Sequence, residues 1–175
     1  AGKHQSSRGA VDCAPCTVGH VCPVGSARPT PCLAGTWSGN TSNANQADCI
    51  DCPRGHFCPE GASNPTPCPI GTIGQNPRLG GLTACTPCSH PATSPAGSHA
   101  CTICDSGFYL KPPAASNDVN ASLPIDCQPC LPGSRCPHNI NITTVVLETN
   151  HWRLGPNSED VRSCIESSGW SPCFG

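Results

Sequence analysis

The residues able to do chemistry here are the cysteines, 17 in a chain of 175. Five Cys-x-x-Cys pairs begin at Cys13, Cys49, Cys85, Cys101 and Cys127. Thiolates at that spacing can ligate zinc, and Cys85-x2-Cys88-x12-Cys101-x2-Cys104 offers four sulfurs a tetrahedral site could use. The same spacing supports thiol redox chemistry when one thiolate is activated, usually at a helix N-terminus. No helix is predicted after any of the pairs, because Pro or Gly interrupts nearly every ten-residue window before Asn117. The pairs recur at a fixed interval, so they read as junctions where one disulfide loop closes and the next opens. No metal and no cofactor is expected, apart from covalent glycans.

The other reactive residue types give no site. Of the seven histidines, His20 and His56 occupy the same repeat position, between Gly and an apolar residue, which marks a structural role. No Ser/His/Asp or Cys/His set can be assembled. No Gly-rich phosphate loop precedes a helix, and the acidic residues do not alternate as in a calcium loop. The sequence therefore predicts a protein that is not an enzyme.

The elements that must position these cysteines are repeats. Cys13, Cys49 and Cys85 are 36 residues apart, as are Cys16, Cys52 and Cys88, Cys22 and Cys58, and Cys32 and Cys68. Cys16-Thr-Val-Gly-His-Val-Cys22-Pro-Val-Gly-Ser recurs as Cys52-Pro-Arg-Gly-His-Phe-Cys58-Pro-Glu-Gly-Ala. Arg28-Pro-Thr-Pro-Cys32-Leu-Ala-Gly-Thr recurs as Asn64-Pro-Thr-Pro-Cys68-Pro-Ile-Gly-Thr. A period of this size signals tandem units that stack on their neighbours. Residues 1–48 read as the end of a truncated repeat plus a first full one, 49–84 as a second, and 85–136 as divergent third and fourth units. Residues 137–175 form a tail with different texture.

Composition fits a stapled scaffold. Leu, Ile, Val and Phe make up only about 15% of the chain, too little apolar material for a large core, while this cysteine density marks a disulfide framework. A repeated unit should use the same bonds each time, and short loops close at low entropic cost. Adjacent pairing meets both conditions: Cys16–Cys22, Cys32–Cys49, Cys52–Cys58, Cys68–Cys85, Cys88–Cys101, Cys104–Cys127, Cys130–Cys136 and Cys164–Cys173. Cys13 is left over. Its partner is expected two residues ahead of Ala1, in a loop cut by the start of the fragment, or alternatively in a neighbouring chain. The expected fold is a small disulfide-rich rod of tandem modules, with short β-strands, little regular secondary structure and a hairpin near the C-terminus.

Seventeen thiols suit an oxidising compartment, and three N-glycosylation acceptors, Asn40, Asn120 and Asn141, lie in polar loops. The expected location is extracellular or on a cell surface. The net charge of −2 without any basic run argues against nucleic acid and against anionic membrane surfaces. The longest apolar run, Val145-Val146-Leu147, cannot span a bilayer.

The motif series Cys-Pro-x-Gly-x-x-Cys-Pro-x-Gly-Ser/Ala, Pro-x-Pro-Cys-x-x-Gly-Thr and Cys-x-x-Cys resembles the ephrin-receptor-like cysteine-rich repeat, itself similar to tumour-necrosis-factor-receptor modules. The resemblance covers about Ala1 to Cys136 and is to repeats abundant in large surface and secreted proteins of protists and algae. The tail, with His151-Trp152-Arg153 and Asp160-Val161-Arg162 before Cys164 and Cys173, resembles the Trp-Arg segment that often follows such repeats. The resemblance to the repeat family implies sequential pairing of loop cysteines, stalk, adhesion or fibre roles, and no catalysis.

Two further features set expectations. Asn139 to Leu147 is the strongest strand candidate, either paired with Val161 to Ile165 or exposed as an edge for another chain. Trp152, Arg153, Val145 and Leu147 are the expected contact surface, since aromatics supply large contact area. The expected partners are copies of the chain itself or the rest of a longer parent, with a protein or glycan ligand as the alternative.

Overall fold

In the computed structural model, residues 1–7, 12–111 and 125–164 are described. The fold is small and disulfide-rich. Among the described residues, regular structure consists of nine two-stranded antiparallel sheets and three short 3-10 turns. The chain divides into two compact units. The first is Ala1–Cys88 with Ser94–Ala100, and the second is Ser89–Thr93 with Cys101–Gly175.

One local rule builds the first unit. Each Cys-x-x-Gly segment makes a turn closed by a backbone hydrogen bond. His20 N–H donates to Thr17 O, Thr36 to Leu33, His56 to Pro53 and Thr72 to Pro69. The glycine is the third residue of each turn, with φ of +72° at Gly19 and +81° at Gly55, the left-handed conformation a type II turn requires there. A two-residue strand follows the turn and pairs with a strand ending just before the cysteine that begins the next Cys-x-x-Gly turn or its counterpart. Thus His20–Val21 pairs with Thr30–Pro31, Thr36–Trp37 with Ile50–Asp51, His56–Phe57 with Thr66–Pro67, and Thr72–Ile73 with Thr86–Pro87. Lys3–His4 pairs with Ala14–Pro15 in the same way.

The turn glycines also tie hairpin to hairpin. Each carbonyl accepts from the cysteine that ends its own hairpin: Cys32 N–H to Gly19 O, Cys52 to Gly35, Cys68 to Gly55, Cys88 to Gly71. Each glycine N–H donates onward: Gly2 to Cys22 O, Gly19 to Ser38 O, Gly35 to Cys58 O, Gly55 to Gly74 O, Gly71 to Ser94 O, at 2.7–2.9 Å. The approach is so close that a Cβ on Gly19 would overlap the Gly61 carbonyl, and one on Gly55 the Gly97 carbonyl. The buried apolar material of this unit is mostly sulfur: Cys22, Cys32, Cys52, Cys58 and Cys68 are wholly inaccessible.

The second unit is packed differently. Phe108–Lys111 pairs over four residues with Asp126–Pro129. Tyr109, Cys136, Ile142 and Val145 form a buried cluster, flanked by Cys130, Leu131 and Ile140. Here the expectation for Asn139 to Leu147 is corrected. Ile142–Thr144 is a 3-10 turn, and only Val146–Leu147 is a strand, paired with Ser134–Arg135. Asn141 drives the change, because its side-chain oxygen accepts from Thr143 N–H and Thr144 N–H and so caps the turn. The turn points Ile142 and Val145 inward together, which an alternating strand could not. Val161–Ser163 pairs instead with His151–Arg153.

Candidate functional site

The cysteines are placed first. The disulfides Cys16–Cys22, Cys32–Cys49, Cys52–Cys58, Cys68–Cys85, Cys104–Cys127 and Cys130–Cys136 are formed, with Cα–Cα distances of 5.7–6.0 Å. Cys88, Cys101 and Cys164 are also disulfide-bonded. Cys173 lies outside the described residues. The four sulfurs with zinc-like spacing, Cys85, Cys88, Cys101 and Cys104, are thus all oxidised. Among the described residues, no group of three or more His, Cys, Asp or Glu is gathered as a metal site would need. Cys13 is a free, exposed thiol.

The histidines at the repeat position face their own turns. His20 Nδ1 lies 2.9 Å from Val18 O, and His56 Nδ1 lies 3.2 Å from Arg54 O. A carbonyl can only accept, so Nδ1 is the donor in this contact, which fixes the orientation of the ring. His151 repeats the arrangement with Thr149 O at 3.0 Å.

Two of the three glycan acceptors are described. Asn40 is exposed in the loop after Thr36–Trp37, and its N–H donates to Ser38 Oγ at 3.2 Å. Asn141 is exposed, and its side-chain oxygen also accepts from the Thr143 hydroxyl at 2.5 Å. Its amide nitrogen, the atom a glycan would occupy, is left out of the cap. Asn120 falls outside the described residues.

The expected contact residues separate. Val145 is buried in the Tyr109 cluster. Leu147 is half-buried and pairs with Ser134. Arg153 reaches inward: its guanidinium donates to Ile142 O at 2.6 Å and Thr143 O at 3.2 Å. It satisfies the carbonyls of the 3-10 turn that Asn141 caps from the other end. Trp152 is half-buried, and the Arg162 guanidinium lies 5.9 Å from its ring centroid, at cation–π range. Arg162 also pairs with Asp160 at 2.6 Å, and its hydrogen bond holds the Asp160 carboxyl below its ordinary range. Lys111 pairs with Glu159 at 2.7 Å, which lowers the Glu159 carboxyl likewise. Burial, then the Glu159 carboxylate, pushes the Tyr109 phenol up.

Sequence reasoning missed one feature of the third repeat. Cys88-Ser-His-Pro-Ala-Thr-Ser94-Pro-Ala-Gly97-Ser keeps the 36-residue period, with Ser94 in the place of Cys58 and Pro91 in the place of Gly55. Ser94 is fully buried, and its hydroxyl donates to Thr72 O at 2.9 Å. The recurring Pro-x-Gly and the spacing of Cys32, Cys68 and Cys104 were the signal for this third copy.

Among the described residues, no helix is long and apolar enough to cross a membrane. No protein-family model matches the chain. No curated protein matches it either.

Proposed function

We propose that this chain is a non-enzymatic extracellular structural segment: a glycosylated, disulfide-stapled part of a stalk or filament in a large surface or fibre-forming protein. The observation that supports it most is the ladder of the first unit. There eight cysteines close hairpins as four disulfides, and the amides of Gly2, Gly19, Gly35, Gly55 and Gly71 join each hairpin to the next. Short closed loops with little apolar core hold extended backbone in place, and covalent glycans at Asn40, Asn120 and Asn141 would cover it against proteases and self-association. The disulfides fit an oxidising, extracellular or secreted setting. The similarity to ephrin-receptor-like repeats points the same way.

A receptor or adhesin ectodomain is the second reading. It is favoured by Trp152, half-buried, with the Arg162 guanidinium at cation–π range of its ring. Sedimentation and negative-stain microscopy of the secreted, glycosylated chain separate the two. Ordered multimers at micromolar concentration without added ligand are expected of the structural segment. A monodisperse monomer would favour the ligand-binding ectodomain.

A further inference from the structure

The 36-residue repeat gives three equivalent positions at Gly25, Gly61 and Gly97, and only two are engaged. Gly61 N–H donates to Cys32 O and Gly97 N–H to Cys68 O, both at 2.9 Å. Each glycine also rests on the hairpin before it. A Cβ on Gly61 would lie 3.5 Å from Pro31 and 3.7 Å from His20; one on Gly97 would lie 3.4 Å from Pro67 and 3.6 Å from His56. At Gly25 the same Cβ would meet nothing within 4 Å. Among the described residues no acceptor faces the Gly25 N–H, and Gly25 is exposed where the other two are half-buried.

A second set of equivalents leads to the same missing group. Cys49 and Cys85 are 9% and 8% exposed and bonded to Cys32 and Cys68. Their counterpart Cys13 is exposed and free. In each occupied copy a single cysteine supplies both contacts, its carbonyl to the glycine and its sulfur to the cysteine. By the repeat, a single cysteine would meet both the Gly25 N–H and the Cys13 sulfur.

We propose that the Gly25 face docks a further hairpin of this same repeat, with a Gly-His-x-Cys strand and a Thr-Pro-Cys strand, lying outside residues 1–175. Its final cysteine gives its carbonyl to Gly25 N–H and its sulfur to Cys13, and its His and Pro cover Gly25. The bond forms by exchange. The Cys13 thiolate attacks the cysteine sulfur of a mixed disulfide between the partner and a small thiol. The new S–S bond forms, the small thiolate leaves, and there is no net oxidation. The docking follows from continuity with the two interfaces already present and holds whether the chain is a stalk or a receptor.

The test joins a copy of residues 16–33 ahead of Ala1, so that Cys-Leu-Ala-Gly precedes the first hairpin as it does at Cys32. The extended chain is refolded in a glutathione buffer, its disulfides are mapped, and Gly25 amide exchange is followed. Cys13 is expected to link to the added final cysteine. Gly25 exchange should slow about tenfold or more, as a newly protected amide would. A second version carries His20→Ser and Pro31→Ser in the added copy only. There the disulfide should still close through proximity while the slowing at Gly25 is lost. A free Cys13 in the first version overturns the proposal. So does a closed bond with Gly25 exchanging as fast as in the unextended chain.

Discussion

The two units solve the same problem, securing a short hairpin, by different means. In the first, strands are two residues long, and the hairpins are fixed by disulfides and by glycine amides reaching the next hairpin. In the second, a four-residue pairing carries Tyr109 into a cluster with Ile142 and Val145, and side chains cap and clamp the adjoining turn. The difference explains why spacing is strict in one and loose in the other. A hydrogen bond from Gly19 to Ser38 or from Gly55 to Gly74 tolerates no slack, so the first unit keeps its period. A side-chain cluster closes over loops of differing length. Cys104–Cys127 spans 23 residues, where Cys32–Cys49 and Cys68–Cys85 span 17.

The largest effect should come from breaking the ladder. Gly55→Ala combines a positive φ with overlap of the Gly97 carbonyl and should cost roughly 3 kcal/mol or more. Gly107→Ala in the second unit has φ +87° but open space around the new Cβ, and should cost only about 1–2 kcal/mol. Denaturant unfolding of the two oxidised variants checks this; equal losses would show that tight backbone approach does not distinguish the units. Next comes the side-chain cluster. Ile142→Ala should destabilise the second unit by about 2–5 kcal/mol and leave exchange at Gly19 and Gly35 unchanged.

A smaller effect is expected at the capped turn. Asn141→Ala removes the acceptor for Thr143 and Thr144 and should cost about 1 kcal/mol, again confined to the second unit. The smallest concerns pH. Glu159 has a folded-state pKa below its ordinary 4.5, so its contribution is present above that value and fades as pH falls through the lowered one. Wild type should therefore lose slightly more thermal stability on acidification than Lys111→Met. Parallel curves would show the exposed pair to be without effect.

How much was legible in the sequence follows the same division. In the first unit the period and the adjacent disulfides could be read because each is fixed by residue type at a set spacing. The third copy was harder to see, since Ser94 and Pro91 replace the two most conspicuous letters while keeping the backbone plan. In the second unit the apolar run at Asn139 to Leu147 suggested a strand, because β-branched residues favour strands when nothing else intervenes. Asn141 intervened through a local side-chain cap. Arg153 reads from the sequence as part of a contact surface with Trp152, but its guanidinium serves two backbone carbonyls ten and eleven residues away in sequence, a contact no spacing rule reports.

The central claim is that staples and the glycine ladder, rather than a side-chain core, hold the first unit. The most direct measurement is amide exchange at Gly2, Gly19, Gly35, Gly55 and Gly71 in the oxidised chain and after full reduction. The account predicts strong protection at all five when oxidised and its collapse at all five on reduction. Protection that survived reduction would contradict it.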